Sequence, residues 1–321
     1  MGHPSRVLGV LSALSLLAGC SVAIPITRPT PSASSFSNPS AAKSTLRVVD
    51  GREGEETRFH VLLAGLRKAK VTLEGIDSPL AFLAENLGKE FAARGYPVTV
   101  TTDTSAADLE LLVTRYRIVS RRVNAYTPWE AMHEFRGVLS SGPRQQTIRA
   151  YFFNGKVPVW SMKDIVEPCF DVPQSLLVKE IASKINHARL GFQSSDEVVA
   201  ALVKRAEPKS DQNDGPFWEL TELGGTNNPN AMAPLKRYAA HKDEFVRACA
   251  LSAIGMLGPE REAAFLKEQY AALKSMDKYM ALKSIGDIGD EASLQFVKSQ
   301  ASDPLYGKES GMQYLVDLYA K

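Results

Sequence analysis

The sequence predicts an α+β N-terminal domain, in which helices back a mostly antiparallel sheet, followed by an all-α stack of helical repeats. Short apolar stretches of alternating polarity surround an amphipathic helix over 79–94, a pattern typical of a sheet covered by helices. Further along, residues 250–269 align without a gap with residues 281–300, and nine of the twenty positions are identical. Such a period indicates stacked helical hairpins, because one repeat unit cannot bury its apolar face alone.

Composition and charge exclude several classes of protein. The chain has 321 residues, of which 44% are hydrophobic and 23% charged, enough apolar material for folded cores. Its net charge of +2 argues against a dedicated nucleic-acid binder, which normally carries a strongly basic face. The predicted organisation is a signal peptide (1–19), a lipid-anchored flexible tether (20–45), an α/β domain (46–206), a polar linker (207–216) and helical repeats (217–321).

The N-terminus has the pattern of a bacterial export signal. Arg6 precedes an apolar segment over 7–18, and the segment ends in Leu-Ala-Gly-Cys, residues 17–20. This ending resembles the bacterial lipobox, which implies cleavage before Cys20 and acylation of that cysteine. The alternative is a secretory signal with an accidental cysteine. By resemblance to Gram-negative sorting rules, Ser21 implies a lipid anchor at the periplasmic face of the outer membrane.

The segment after Cys20 is rich in Ser, Pro, Ala and Thr up to residue 45. Such a composition cannot form a core, so we expect a flexible tether. Fully stretched, 25 residues would reach roughly 80 Å, and the folded part would stand well away from the membrane.

Local signals define the elements of the α/β domain. Ser78 is expected to cap the helix that begins at Pro79, with Gly95 just after its end. The pair Asn154-Gly155 predicts a hairpin turn. With the segments 48–52, 92–98 and 107–111 and a helix near Leu176, this order resembles the YajG-type lipoprotein family over about 140 residues. That resemblance implies a fold and a compartment but little chemistry, and an unrelated α+β domain is the alternative.

The repeat itself resembles a known family. Residues 243–250 followed by Ile254-Gly255, and later Gly289-Asp290, resemble the short HEAT repeat of phycobilin-lyase-type proteins. The resemblance implies a HEAT-like stack with an extended groove for partners. Gly255 and Gly286 are expected to end the first helix of each unit in the left-handed conformation. Arg247 is expected to bond a neighbouring acidic turn.

Residues that could carry chemistry are scattered. His60, His133, His187 and His241 lack metal-ligand spacing, and His133-Glu134 in a strand would point to opposite faces. The acidic turn at 50–56 is expected to be a solvated charged turn rather than a calcium site. Cys169 and Cys249 are expected to be separate buried thiols, with a disulfide as the alternative.

These observations are compatible with three functions. We expect a non-catalytic envelope lipoprotein that acts as a protein–protein interaction scaffold, without cofactor, metal or nucleic acid. The alternative is an accessory or carrier protein that binds a lipid-like or glycan ligand in the α/β domain. An enzyme is a third reading, although no nucleophile–base pair is recognisable in the sequence.

Overall fold

The structure is a computed structural model that describes residues 21–33, 42–104, 106–124, 126–159, 162–207 and 215–320. It has a mixed α/β N-terminal region with one main sheet, followed by a helical C-terminal region. The predicted change of fold class along the chain is confirmed at this level. The predicted signal peptide and the acylated Cys20 lie outside the described residues.

The main sheet is mixed, with a long antiparallel half. The strands are β1 (Ser21–Pro25), β2 (Ser44–Asp50), β3 (His60–Ala64), β4 (Lys70–Glu74), β5 (Val98–Thr101), β6 (Leu109–Arg122), β7 (Trp129–Ser141) and β8 (Arg144–Val157). The strand order is β5-β2-β6-β7-β8, and β3 pairs with β6 beyond the end of β2. β6, β7 and β8 are antiparallel neighbours, whereas β2 and β3 run parallel to β6. β1 and β4 form a separate parallel pair.

The turn between β7 and β8 lies at Gly142 and Pro143, and Gly142 has the positive φ of 56° that the turn needs. The prediction of a hairpin turn at Asn154-Gly155 is wrong, because both residues lie inside β8. The Asn154 side chain instead donates a 2.7 Å hydrogen bond to the carbonyl of Pro168. Asn-Gly tolerates a turn but does not require one.

The helices divide into those that cover the sheet and those that form the C-terminal region. They are α1 (Pro79–Ala93), α2 (Val172–Ile185), α3 (Asp196–Ala206), α4 (Phe217–Gly224), α5 (Met232–Tyr238), α6 (Glu244–Leu257), α7 (Ala263–Ala272), α8 (Met276–Ile288), α9 (Glu291–Ser299) and α10 (Gly311–Ala320). α1 has the predicted ends: the Ser78 hydroxyl accepts from the Ala81 amide at 3.4 Å, and Gly95 has φ of 74°. Its apolar stripe packs on the sheet beside α2.

α2 is the central helix of the molecule. Twelve of its fourteen residues are buried, so it has no solvent-exposed face of its own. One side packs on α1, β7 and β8, and the other side packs on α4 and α6. The C-terminal helices thus pack on α2 and also, through α8 and α10, directly on the sheet, where they share a core with Val119, Met132 and Tyr151. α3, which the sequence places in the α/β domain, packs on α4 and adds Val199 and Leu202 to that core.

In the C-terminal region, α4, α6 and α8 pack on one another in turn and form an inner layer, α5, α7 and α9 alternate with them along the sequence, and α10 follows. Gly224, Gly255 and Gly286 recur on the inner helices α4, α6 and α8. The predicted left-handed role of Gly255 and Gly286 is wrong, because both lie within helices. A Cβ on Gly255 would lie 2.6 Å from the Ser284 hydroxyl, and one on Gly286 would overlap the Tyr319 ring. These glycines instead let successive inner helices approach closely.

We expect Gly286→Ala to lower the free energy of unfolding by about 1–2 kcal/mol. Overlap with the buried Tyr319 ring costs about 1–3 kcal/mol, which exceeds the gain in helix propensity of up to about 1 kcal/mol. Gly88→Ala in α1 is the matched control, since its Cβ would meet Val100 only at 3.8 Å. Chemical denaturation should show opposite signs for the two variants. Equal stabilisation of both would refute the packing role of Gly286.

The N-terminal segment is not a free tether. Residues 21–33 pack along the body, so the predicted flexible tether is wrong for this part of 20–45. Ile24 and Ile26 are buried, and the Ser32 amide donates to the Glu90 carboxylate at 2.9 Å. Ala33 donates to Glu222 on α4 at 2.8 Å. Composition suggested a coil because proline disfavours helices, but an extended strand and strap accommodate proline well.

In the described parts of the chain, no helix combines the length and the apolar character that a bilayer span requires.

Candidate functional site

The outer face of the main sheet, opposite α1, changes character along the strands. At one end, Val119, Met132 and Phe153 form apolar contacts with the C-terminal helices. In the next row along the strands, Arg117 lies opposite Glu134. The cover by helices ends at α10, so the positions beyond it lie at the rim between the two regions of the protein.

Three arginines lie side by side at this rim. Arg115 on β6 pairs with Arg136 on β7, and Arg136 pairs with Arg149 on β8. We call these three residues the arginine row. Because neighbouring strands lie about 4.8 Å apart, the row extends over roughly 10 Å. Like charges directly opposite each other on a sheet are destabilising, so each guanidinium needs a compensating group.

The two outer arginines have such groups. Arg115 is almost fully buried and donates from Nε to Glu56 at 2.8 Å and from a terminal nitrogen at 2.5 Å. Burial opposes its charge, but Glu56 and Glu134 outweigh burial and raise the pKa of Arg115. Arg149 donates from Nε to the Leu318 carbonyl at 3.2 Å, near the C-terminus of α10. A cation at a helix C-terminus is favourable because the terminal carbonyls carry partial negative charge.

The middle arginine has no such group. Arg136 is half-buried, and its Nε donates to the neutral Thr114 hydroxyl at 3.0 Å. No carboxylate among the described residues forms an ion pair with it. Burial, and then the charges of Arg115 and Arg149, lower the pKa of Arg136, and the carboxylates of Glu56 and Glu134, which form no ion pair with it, offset this only in part. The guanidinium nevertheless stays charged at neutral pH, so the position favours an added anion.

Glu134 limits the site on the side of α10. Its carboxylate is fully buried, and one oxygen accepts from Arg117 Nε at 2.5 Å. Burial raises the pKa of Glu134 despite the two nearby arginines. Because this acid pairs with Arg117 and Arg115, Arg136 is the arginine of the row that has neither an ion pair nor a helix terminus among the described residues. A guanidinium there can offer a planar pair of N–H donors, the geometry that a carboxylate or phosphate accepts.

The arginine row was not predicted. Its members are separated by many residues in the sequence, and only the register of β6, β7 and β8 brings them together. A β-bulge between Val113 and Arg115 also changes which residues of β6 face outward. The alternation before the bulge therefore assigns Arg115 to the wrong face.

Several sequence predictions are answered by the structure. Arg247 donates to Asp277 at the start of α8 at 2.8 Å, which is the predicted bond to a neighbouring acidic residue. Cys169 and Cys249 are both free and buried, as predicted, and burial raises the pKa of each thiol to about 12. In the acidic turn, Glu53 and Glu55 are exposed as expected, whereas Glu56 is half-buried against Arg115. That carboxylate belongs to the site, contrary to the prediction of a wholly solvated turn.

The buried histidine on β7 has a structural environment. His133 Nε2 donates to the Cys169 carbonyl at 2.8 Å, and Nδ1 accepts from Gln174 at 2.7 Å. Burial lowers the pKa of His133 to about 3, so the ring is neutral. His133 and Glu134 point to opposite faces of the sheet, as predicted. Throughout the residues that the structure describes, no group of three or more His, Cys, Asp or Glu side chains is placed to hold a metal ion.

A second concavity lies where β2 ends and α1 begins. Its volume is about 450 Å³, and its lining includes Arg47, Asp50, Ser78 and Glu110. Arg47 and Glu110 form an ion pair across it. Polar side chains border the pocket, but most of its lining surface is apolar, and the pocket is open to solvent.

No family model matches this sequence, and no curated protein matches it. A solved structure of an uncharacterized protein is similar to part of the chain, with a TM-score of 0.30 and 8% sequence identity. The similarity covers 53% of this chain and 98% of the other one. At that score it carries no argument about fold or function.

Proposed function

We propose that this protein is a non-catalytic lipoprotein of the bacterial envelope that binds an acidic segment of a partner protein at the arginine row. The lipid anchor is inferred from the Leu-Ala-Gly-Cys motif at residues 17–20. The observation that supports the binding function is Arg136, which is half-buried between two other arginines. Among the described residues, its guanidinium donates to the neutral Thr114 hydroxyl and to no carboxylate.

The helical region supports this function in a way that differs from the sequence prediction. We propose that α4 to α9 are three helical hairpins of the HEAT type, because of the 31-residue repeat and the bond between Arg247 on α6 and Asp277 on α8. Its inner helices α4, α6 and α8 lie against α2 and β8, so their surface is occupied by the chain itself. The stack is therefore a support for the sheet, and α10 forms one wall of the arginine row.

An acidic peptide suits the row better than a single small anion. The three guanidinium groups extend over roughly 10 Å, and alternate side chains of an extended peptide lie about 6.6–6.8 Å apart on one face. Arg115 is buried, but Arg136 and Arg149 are both half-buried, so two carboxylates of such a peptide can contact these two arginines. Apolar Leu112 and Val138 lie in the adjacent row and offer contacts to the remaining side chains.

Arg136→Ala is expected to weaken the binding of an oligoglutamate peptide about tenfold or more. A hydrogen bond to a charged group contributes about 1.5–3 kcal/mol, and about 1.4 kcal/mol is a factor of ten in affinity. Fluorescence anisotropy of a labelled peptide provides the measurement, and affinity should fall as salt is raised.

Arg144→Ala is the matched control, because Arg144 is exposed on the same hairpin but lies outside the row. Equal losses of affinity in both variants would show that the peptide responds only to the net charge of the protein. Displacement of the peptide by millimolar inorganic phosphate would indicate a small-anion site instead.

A second candidate is supported by the pocket beside α1. Its volume of about 450 Å³ and its apolar lining, bordered by polar side chains such as Ser78 and Thr102, fit a small glycan, which has both apolar ring faces and hydroxyl groups. In this reading the protein is an accessory that carries a polar ligand. To test this function, the protein is saturated with short glycans, and the hydrogen exchange of the Ser78 and Thr102 amides is measured. A bound glycan should slow this exchange.

A further inference from the structure

The surface around the first described residue has a distinctive composition. Ser21 pairs with Lys70 at the start of the β1–β4 ribbon, so the chain joins the body one residue after Cys20. One residue spans at most about 3.6 Å. If Cys20 carries the proposed lipid, the body is held directly at the bilayer, with the Lys70 end of β4 nearest to it.

Basic side chains surround this point. Arg67 and Lys68 lie in the turn that precedes β4, and both are exposed, as is Lys70. Lys68 and Lys70 form no ion pair with any residue that the structure describes. Arg67 is paired with Glu309, and the exposed Lys308 adjoins that acid. The local charge is therefore clearly positive, although the whole chain carries only +2.

Exposed apolar side chains lie beside these cations. Tyr126 is 98% exposed and Val123 is 48% exposed, and they are the large hydrophobic residues that the described chain leaves open to solvent. The loop that carries them packs on the basic turn: a Cβ on Gly65 would lie 2.5 Å from the Val123 carbonyl. The Tyr126 amide donates to Asn124 at 2.9 Å, which holds this loop in a defined turn.

From this juxtaposition we infer that Arg67, Lys68, Lys70, Val123 and Tyr126 form a membrane-contact surface that lies on an anionic bilayer. The inference rests on the proposed lipid anchor. Lysines close to a membrane gain from the negative surface potential of acidic lipids. Tyrosine is favoured at the level of the headgroups, because its ring is apolar and its hydroxyl is polar. An anionic bilayer thus complements this surface in both charge and polarity.

The consequence is a fixed orientation. β7 runs from the Tyr126 loop to the hairpin turn before Arg144, and thirteen residues of strand span roughly 40 Å. The arginine row lies between these two ends. A contact at the Tyr126 loop therefore places the Arg144 turn away from the membrane and presents the row to partners at its side.

The test uses the full-length lipidated protein in vesicles that contain phosphatidylglycerol and a lipid with a nitroxide headgroup. Pro128→Cys and Arg144→Cys each provide one exposed thiol for a fluorophore. Cys169 and Cys249 are buried and stay unlabelled, and the sulfur of Cys20 is acylated. We expect strong quenching of the label at position 128 and little at position 144. Replacement of Lys68 and Lys70 by Ala should lower the ratio of protein with this surface on the bilayer to protein turned away from it. The expected decrease is roughly 25-fold, since each lysine contributes about a factor of five.

The outcomes separate the two proposals. Co-flotation with neutral vesicles reports the lipid anchor alone, and a chain that does not float refutes the anchor and this inference with it. A chain that floats but shows equal quenching at both positions keeps its anchor and overturns the membrane-contact surface. If quenching at position 128 is unchanged in the Lys68→Ala/Lys70→Ala variant, or when Tyr126→Ser is added to that variant, the membrane-contact surface is also refuted. Shielding of position 128 without vesicles, rising with protein concentration, would assign the surface to a second copy of the chain.

Discussion

Asp287→Asn is expected to lower the free energy of unfolding by about 3–5 kcal/mol. Asp287 lies in a buried group of four charges, in which it accepts from Lys184 at 2.6 Å and pairs with Lys283 at 3.0 Å. Glu180 on α2 is the second acid and pairs with both lysines. Removal of one acid leaves a buried cation without compensation, which is the costly way to break a buried ion pair.

Urea denaturation measures this loss, and Glu268→Gln on the exposed side of α7 is the control, with an expected change within about 0.5 kcal/mol. Adding Lys184→Met to Asp287→Asn restores the charge balance and should recover part of the stability. Simple additivity of the two changes would mean that the four charges do not act as a group.

The ionisation of Asp287 is also expected to make the stability of the protein depend on pH. Burial opposes ionisation of Asp287, but Lys184 and Lys283 outweigh it and hold the pKa below its usual range. A lowered folded-state pKa gives stability that is fully present above the unfolded value of about 3.9 and is lost as pH falls through the folded value. The difference between wild type and Asp287→Asn should therefore shrink below about pH 4.

Glu90→Gln is expected to cost a similar amount, about 3–5 kcal/mol, and to release the N-terminal segment. Glu90 is 1% exposed and accepts from Arg94 at 2.6 Å, from Lys179 at 3.3 Å and from the Ser32 amide at 2.9 Å. It therefore joins α1, α2 and the segment 21–33. Without its charge, two buried cations lose their main partner and Ser32 loses its attachment.

Hydrogen exchange provides the second readout, because the amides of Ser32 and Ala33 should lose protection in this variant. Glu85→Gln is the control on the same helix. Glu85 also contacts the segment, through Arg28, but its side chain is 43% exposed. An exposed pair contributes only about 0–1 kcal/mol. Equal destabilisation by the two variants would contradict the special role of Glu90.

Local features of this fold could be predicted from the sequence. Ser78 and Gly95 mark the ends of α1 because caps depend on neighbouring residues alone. The 31-residue repeat likewise predicts the helical C-terminal region, and the acidic partner expected for Arg247 is Asp277. In each case the signal and the structure that it specifies lie within one or two adjacent elements.

Features that depend on long-range pairing could not be predicted. The arginine row requires the register of three strands and a bulge whose position the alternation does not reveal. The glycines of the inner helices were assigned to helix ends, since close approach to Ser284 or Tyr319 is visible only after packing. The N-terminal segment was assigned to a tether because its attachments, Glu90 and Glu222, lie far along the chain.

The position of α2 has a consequence for how the molecule can be divided. A cut in the polar segment 207–216, where the sequence marks a boundary, would remove the helices that cover one side of α2 and the outer sheet residues Met132 and Tyr151. The N-terminal piece would then expose a broad apolar surface, and Lys184 would lose its partner Asp287. We expect this piece to aggregate rather than to fold as a separate module. The C-terminal helices are thus not a separable module. We expect insertions to be tolerated best on the solvent-facing sides of α5, α7 and α9, because the inner helices α4, α6 and α8 pack on α2 and on the sheet.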